Sequence, residues 1–376
     1  METPAESQMG PTPRSARITS LDTIRGFAVL GILTMNVVSY GLGTSSYFNI
    51  DASSPQTWLD WFIGGFGEIF FDQKFMGLFS MLFGAGIVLF ADRASVKGLR
   101  AGRLSLWRNF LLLLIGLAHA SLWDGDVLVV YAVCAPLLVV LRNLSARVLF
   151  IAGALAMLVS PVGAAWVQTT IDATGEGLGE YWGDTGTMSD AVGLWLITDF
   201  FFRALGMMLI GVGAYRTGFL KGNAGDDCYR RSARWGLGLG LPLSAAGFAF
   251  VAVNNFEPDV AVIGSIPNTV ATVPVVFGYT SLITLWHRRT LERPFNERVR
   301  AVGRMALTNY LSQTVLGILI LRGLFNPADL NRMLLVLFMV GVWALQLWWS
   351  RAWLARHRYG PAEWVWRVAT YRRLPG

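Results

Sequence analysis

Runs of about 20 apolar residues recur along the chain, and each is long enough to cross roughly 30 Å of hydrocarbon as a helix. Runs such as residues 106–123 lack the alternation of barrel strands, so they predict helices. The pattern therefore predicts an all-α, polytopic membrane bundle. Its ten predicted crossings cover roughly residues 24–42, 73–91, 105–122, 127–142, 147–167, 193–215, 235–254, 266–286, 305–322 and 332–351.

A further apolar segment, Trp58–Phe71, is short for a full crossing and is followed at once by Asp72 and Lys74. We interpret it as a re-entrant or interfacial piece that leads into the second crossing. A short apolar segment beside charged residues is more typical of such a piece than of a spanning helix.

The two ends of the chain differ from the bundle, which is predicted over residues 17–351. Residues 1–16 are rich in Pro, Ser and Thr and lack the apolar region of a signal peptide, so they predict a flexible tail. Residues 352–376 predict a helix along the cytoplasmic interface, with Gly360 and Pro361 at its start.

The charged residues give the orientation of the bundle. All but four of the 31 Lys and Arg residues lie in or beside both tails and one alternate set of loops, whereas the other loops carry acids and no Lys or Arg. The positive-inside rule then puts both termini in the cytoplasm. This arrangement needs an odd number of crossings between residues 57 and 91, which favours the re-entrant interpretation. The basic loops cover residues 92–104, 143–146, 216–234 and 287–304.

Composition supports the same class of protein. The chain is 54% hydrophobic and 15% charged, with a mean hydropathy of +0.48. Its pI near 9.7 follows from the cytoplasmic loops and does not require nucleic acid. The two cysteines, Cys134 and Cys228, indicate neither a disulfide framework nor a metal site. We expect a multi-pass protein of the plasma or inner membrane that contacts lipid and holds no resident cofactor or metal.

The first crossing carries polar residues on one face. Asp22 and Arg25 are about 60° apart on a helix, and Asn36 follows Arg25 by close to three turns. A charged residue inside a membrane helix costs about 2.5–3.5 kcal/mol, so this stripe needs a reason. It predicts a face turned into the bundle. The alternative is a structural Asp–Arg pair, with Asn as a contact between helices.

His119 is the leading candidate for chemistry, because the other two histidines lie in basic cytoplasmic segments. It lies roughly 16 Å along the helix from Arg108, in the outer half of the membrane. Asp124 and Asp126 follow in a short turn, and a carboxylate that orients an imidazole is a common general-base arrangement. The alternative is a packed, hydrogen-bonded helix histidine.

Several further charged residues are predicted in the outer half of the membrane. Their convergence predicts one polar cavity, although mutual neutralisation of acid and base is the alternative. Asp199 and Arg203 are spaced i,i+4 and can pair. The predicted cavity residues are Glu68, Asp72, Lys74, His119, Asp124, Asp199 and Arg203.

Five sequence blocks together resemble one family. They are ITSLDTIRGFAVLGILTMN, KFMGLFSMLFGAGI, GLAHASLWDGDVLVVYA, GRMALTNYLSQTVLG and RYGPAEWVWR. In this order they resemble the YeiB-like bacterial membrane proteins, the domain of unknown function 418. The resemblance covers nearly the whole chain.

The opening block is also similar, more distantly, to transmembrane acyltransferases: the acyltransferase-3 group and heparan-α-glucosaminide N-acetyltransferase. That resemblance implies a bundle of about ten helices that moves an acyl group from cytoplasmic acyl-CoA to a sugar hydroxyl or amine across the membrane. The acyltransferase-3 pattern expects a His near the position of Asn36. The departure leaves His119 to take the catalytic role.

Acyl transfer is therefore our first functional hypothesis, with acyl-CoA as co-substrate and an envelope glycan or lipid as acceptor. Asp22 and Arg25 would shape the cytoplasmic mouth, where basic residues attract CoA phosphates. His119 would be the general base, oriented by Asp124 or Asp126. Either Lys74 or Arg203 would stabilise the oxyanion. The wider set of substrate-binding residues is Asp22, Arg25, Asn36, Glu68, Asp72 and Asp199.

Two other functions stay open at this point. Buried ionisable residues also build proton-coupled transporters, although the sequence gives no signal of an inverted repeat. The third possibility is a non-catalytic membrane partner in envelope assembly.

Overall fold

The computed structural model describes residues 18–53, 57–183 and 186–371. Within these ranges the chain is mostly helical and contains no strand. The predicted flexible tail at residues 1–16, and the last five residues of the predicted C-terminal segment, lie outside the described residues. The longer helices, labelled α1 to α13, are Thr19–Gly41, Trp58–Phe70, Lys74–Val96, Ala101–Ala120, Leu128–Leu141, Ala146–Gln168, Asp190–Arg216, Asp226–Val253, Ile266–Thr290, Pro294–Arg304, Ala306–Gly317, Arg332–Arg356 and Pro361–Tyr371.

The helices confirm the predicted all-α membrane bundle. Eight helical stretches among the described residues are long and apolar enough to cross a membrane, with α2 and α3 counted as one of them. Two further predicted crossings correspond to shorter elements: α5, and α11 continued by a π-helical turn at Ile318–Arg322. The total of ten crossings stays a prediction.

Helix α1 lies at the centre of the bundle. The 18-residue apolar segment of α1 is 78% buried inside the protein. The corresponding segments of α4, α6, α8 and α12 are only 28% buried, and these helices expose Leu, Val and Trp side chains. Helix α1 packs against α3, α9, α10, α11 and α12. On the predicted polar stripe of this helix, Asn36 is buried, whereas Asp22 and Arg25 are half-buried.

Helices α2 and α3 are separated by a sharp break. A capping box between Thr57 and Asp60 begins α2, and Gln73 adopts a left-handed backbone with φ 61° before α3 begins at Lys74. A non-glycine residue in this region interrupts the run of helical hydrogen bonds. The predicted short segment thus forms a helix of its own, and the break places Asp72 and Lys74 inside the bundle.

The two ends of the bundle differ in charge, and we call them the basic end and the acidic end. The basic end carries loops 97–100, 142–145 and 217–225 together with α10 and α13. The acidic end carries loop residues 121–127, 169–183, 186–189 and 254–265. Residues 287–304 are predicted to be a basic loop, but much of this segment forms α10, a short helix that begins at Pro294.

Helix α10 lies unusually close to α1. A Cβ atom on Gly303 would lie 1.9 Å from the backbone oxygen of Asp22, and one on Gly26 would lie 2.2 Å from that of Val299. Only glycine permits such backbone approach. This contact fixes the position of Asp22 and Arg25 at the basic end.

The C-terminal helix α13 begins at Pro361, as the sequence predicts, and docks on the basic end. The indole of Trp366 donates a hydrogen bond to the backbone oxygen of Arg108 at 2.9 Å. The indole of Trp107 donates to the backbone oxygen of Ala369 at 3.1 Å. These two bonds tie α13 to α4.

Candidate active site

The site is built around His119 at the acidic end of α4. Its Nδ1 lies 2.7 Å from Oδ1 of Asp126. A carboxylate is an acceptor only, so Nδ1 donates this hydrogen bond, and in the tautomer protonated at Nδ1 alone Nε2 is an acceptor. The hydroxyl of Thr314 on α11 lies 2.9 Å from this Nε2. The hydroxyl of Tyr40 on α1 lies 2.8 Å from Thr314 Oγ1.

The turn between α4 and α5 positions the acid. Asp126 uses its second oxygen, Oδ2, to accept the backbone N–H of Val129 at 2.9 Å, which satisfies one free amide at the start of α5. Its side chain is fully buried, whereas Asp124 is exposed in the same turn. Sequence reasoning left both residues open as partners, and the structure brings Asp126 to His119.

Aromatic rings enclose the imidazole. The ring centroid of Tyr310 lies 5.2 Å from that of His119, and that of Trp123 lies 6.0 Å away. The Tyr310 hydroxyl accepts the backbone N–H of Val127 at 3.4 Å. These contacts hold the buried ring in one orientation.

A cavity of about 410 Å³ opens at the basic end and is lined in part by Tyr310, whose ring packs on His119. This volume lies in the range of small-molecule sites. The inner part is apolar, with Phe79, Leu112 and Leu128 among its lining residues, and it reaches Tyr310. Its mouth is cationic, with seven basic residues against the two acids Asp22 and Glu363. The basic residues are Arg25, Arg93, Lys97, Arg108, Arg304, Arg358 and Arg367.

The mouth of this basic-end cavity includes the predicted residues of the first crossing. Arg25 pairs with Asp22 at 3.1 Å, and both line the cavity. The Arg108 guanidinium lies between two aromatic faces, 4.0 Å from the ring centroid of Trp366 and 4.6 Å from that of Phe90. Such stacking holds a guanidinium in place while leaving its charge unneutralised.

A second cavity, of about 980 Å³, opens at the acidic end. Tyr40 lines it, together with Arg322 and Arg332. Tyr40 therefore joins this acidic-end cavity to Thr314 and, through Thr314, to His119. The His119–Asp126 pair lies between a cavity from each end of the bundle.

The other predicted residues form a separate cluster. Asn268 on α9 is its centre: its Nδ2 donates to Asp72 Oδ2 at 2.8 Å and to Glu68 Oε1 at 3.2 Å. Its Oδ1 accepts from the ammonium of Lys74, which is fully buried. The hydroxyl of Tyr47 donates to Asp72 at 3.2 Å.

Asp199 and Arg203 belong to the same region. They form the ion pair that their spacing predicts, and Ser160 also donates to Asp199. A cavity of about 70 Å³ is lined by both residues and by Glu68. Among the described residues, it shares no lining residue with the basic-end cavity.

The predicted single polar cavity is therefore wrong, because the structure forms two clusters. His119 and Asp126 belong to one, and Lys74 and Arg203 are held by carboxylates and an amide in the other. The helix break before Lys74 directs its side chain toward Asn268 on α9.

Sequence reasoning missed three hydroxyl residues at the site: Tyr40, Tyr310 and Thr314. None of them carries a charge. Charged residues are conspicuous in an apolar run because they are costly to insert into a membrane, and these hydroxyl residues lack that signal. The available signal was the i,i+4 spacing of Tyr310 and Thr314 in the block GRMALTNYLSQTVLG, which puts both on one face of α11.

No group of three or more His, Cys, Asp or Glu side chains that could hold a metal ion occurs in the described part of the chain.

Comparison with known proteins places the chain in a family. Residues 214–373 match the family model described as "Protein of unknown function (DUF418)". The Escherichia coli (strain K12) "Uncharacterized protein YeiB" is 30% identical over 390 residues, covering 95% of this chain and 97% of the relative. The chain belongs to the DUF418 family. A second relative, "Uncharacterized protein YxaH" of Bacillus subtilis (strain 168), is 28% identical over 413 residues, with 97% of each chain covered.

The match confirms the YeiB-like resemblance. The DUF418 segment contains α11, and therefore Tyr310 and Thr314, whereas His119 and Asp126 precede it. The site described above combines residues from inside and outside this segment.

Proposed function

We propose that this DUF418 protein transfers an acyl group from cytoplasmic acyl-CoA to a hydroxyl or amine acceptor on the extracytoplasmic side. The observation that carries the proposal is the position of His119, with Asp126 bonded to it, between a cavity from each end of the bundle. A donor and an acceptor can then approach one base from opposite sides.

The cavity from the basic end suits acyl-CoA. Its cationic mouth would attract the phosphates, since a concave basic surface raises the local concentration of anions. Its apolar interior suits the pantetheine arm and the acyl group. By the positive-inside rule this mouth faces the cytoplasm, where acyl-CoA is available.

His119 would act as the general base. Its Nε2 accepts hydrogen bonds, and Asp126 would stabilise the imidazolium that forms when Nε2 takes the acceptor's proton. That proton then passes to the sulfur of the leaving CoA. Lys74 and Arg203 have no part in this step, because their charges are engaged in the other cluster.

Transfer of label from acetyl-CoA tests the proposal. Membranes that contain the protein are incubated with radiolabelled acetyl-CoA, and label is counted in the lipid and glycan fractions. His119→Ala should reduce incorporation to background, because the base is lost. His357→Ala is the matched control, since His357 is exposed at the basic end and should keep wild-type incorporation.

Unchanged incorporation in the His119→Ala variant would contradict the assignment of His119 as the general base. Solute flux in proteoliposomes without any acyl donor, together with no incorporation by the wild type, would contradict acyl transfer and favour transport.

A further inference from the structure

We propose that Thr314 is an acyl-carrying nucleophile, so that the reaction passes through an acyl-threonine intermediate; this rests on the proposed function. Asp126, His119 and Thr314 are bonded in sequence, at 2.7 Å and 2.9 Å. A hydroxyl bonded to a base that a carboxylate orients is the diagnostic arrangement of an activated nucleophile.

The directions of the hydrogen bonds agree with this role. Nδ1 of His119 donates to Asp126, so Nε2 accepts the Thr314 proton. With its proton directed at Nε2, Thr314 Oγ1 accepts from the hydroxyl of Tyr40. The base can therefore take the Thr314 proton without any rearrangement.

The positions of the two cavities explain why an acyl-threonine intermediate would be useful. Tyr310, whose ring packs on His119, lines the basic-end cavity, and Tyr40, which bonds to Thr314, lines the acidic-end cavity. Donor and acceptor on opposite sides need not meet if a residue between them carries the acyl group. Thr314 is fully buried at that junction.

Both half-reactions balance with the groups named. In the first, Thr314 Oγ1 attacks the thioester carbon, His119 takes the hydroxyl proton, the C–S bond breaks, and the proton passes to the CoA sulfur. In the second, the acceptor attacks the acyl-threonine carbon, His119 takes the acceptor's proton, and the C–O bond to Thr314 breaks as its oxygen regains a proton.

Tyr310 would assist the first half-reaction. Its hydroxyl accepts the Val127 N–H at 3.4 Å, so its own proton is not used in that bond. It lines the cavity from which the thioester approaches. A hydroxyl there can donate to the oxyanion as charge develops.

The test uses the purified full-length protein and needs no identified acceptor. Acetyl-CoA and labelled free CoA are mixed, and label that enters acetyl-CoA is measured, because this exchange requires the first half-reaction to run in both directions. Succinyl- and palmitoyl-CoA are tested in parallel. After an acid quench, peptide mass spectrometry locates the acyl group, and we expect it on Thr314.

Three variants sharpen the result. Thr314→Val should lose exchange by at least 100-fold, and Thr314→Ser should keep exchange and adduct because it retains the hydroxyl. Thr280→Val is the control for substitution of a buried threonine, because its hydroxyl has no hydrogen-bond partner among the described residues. Thermal stabilisation of Thr314→Val by acetyl-CoA would verify that this variant is folded.

The outcomes separate the two proposals. If label reaches membrane acceptors but there is no exchange and no adduct at Thr314, the acyl-threonine proposal is overturned. The proposal of acyl transfer then stands. An adduct on His119 also overturns the acyl-threonine proposal. If the wild type shows no incorporation, no exchange and no adduct with any of the three donors, both proposals fail.

Discussion

At the residue scale, Asp126 and Asp124 are two positions apart and have opposite environments. Asp126 is buried against His119, and Asp124 is exposed. Sequence reasoning found His119 and the acidic turn because charged groups in an apolar run are conspicuous. It could not choose between the acids, since that choice depends on how the turn folds around Val129.

The substitution Asp126→Asn should lower acyl transfer by on the order of 10²- to 10⁴-fold, because the imidazolium loses its stabilising charge. Asp124→Asn should retain at least half of the wild-type rate. Both are measured by incorporation of labelled acetyl groups. Equal losses in the two variants would contradict the assignment of Asp126.

Disruption of the second cluster, the one around Asn268, should lower the stability of the protein. Lys74→Met removes a buried ammonium that donates to Asn268 and to the backbone oxygen of Glu68, beside the carboxyls of Asp72 and Glu68 that Asn268 also binds. Breaking a buried charge network in this way costs about 3–5 kcal/mol. We expect a clearly lower melting temperature in detergent, whereas Lys97→Met, at an exposed position, should change it little. Similar melting temperatures for both variants would show that the network does not stabilise the bundle.

At the element scale, α13 shows what a local pattern can predict. Pro361 and the first-turn acid Glu363 predict the start of the helix correctly. The partner of Glu363 lies 55 residues away, since its Oε1 accepts the backbone N–H of Leu307 at 2.7 Å and of Thr308 at 3.2 Å. It thereby satisfies free amides at the start of α11, a contact between distant segments that no local pattern encodes.

Docking of α13 should therefore depend on pH. Burial is the largest influence on Glu363 and raises the pKa of its carboxyl above 4.5, while the hydrogen bonds from Thr308 and Leu307 act in the opposite direction. The docked carboxyl binds its proton more tightly than the undocked one, so docking strengthens as pH falls through the raised pKa toward 4.5, and weakens as pH rises.

Hydrogen exchange of residues 361–371, corrected for the intrinsic effect of pH, measures this dependence. Glu363→Gln should remove it, because the amide does not titrate. A dependence that persists in Glu363→Gln would assign it to another group.

At the scale of the whole molecule, the sequence predicts the apolar helices and their orientation, but not the number or position of the cavities. A cavity is formed by side chains from distant segments, such as Phe79, Leu112 and Tyr310, and its shape depends on how the helices pack. The separation into two charged clusters was missed for the same reason: helical periodicity gives the face of a residue but not the neighbouring helix.

Filling the basic-end cavity should block the donor. Gly86 lines it, and a Cβ atom there meets no atom within 4 Å, so Gly86→Phe can project into the space without a clash at Cβ. We expect acetyl-CoA binding to weaken by at least tenfold, measured by calorimetry. Gly341→Phe is the matched control, because its Cβ is equally unobstructed and Gly341 is exposed on α12. Equal affinity in both variants would place CoA elsewhere.

Contacts between Tyr40, Thr314, His119 and Tyr310 connect the two cavities, and this arrangement would affect how the protein responds to voltage. When water fills both cavities, it brings each aqueous phase close to Tyr40, Thr314, His119 and Tyr310. The transmembrane electric field then concentrates across these few side chains instead of the whole bilayer. Each elementary charge that moves across them would gain or lose up to about 2.3 kcal/mol per 100 mV, so the membrane potential would bias the proton transfers that the proposed reaction assigns to His119.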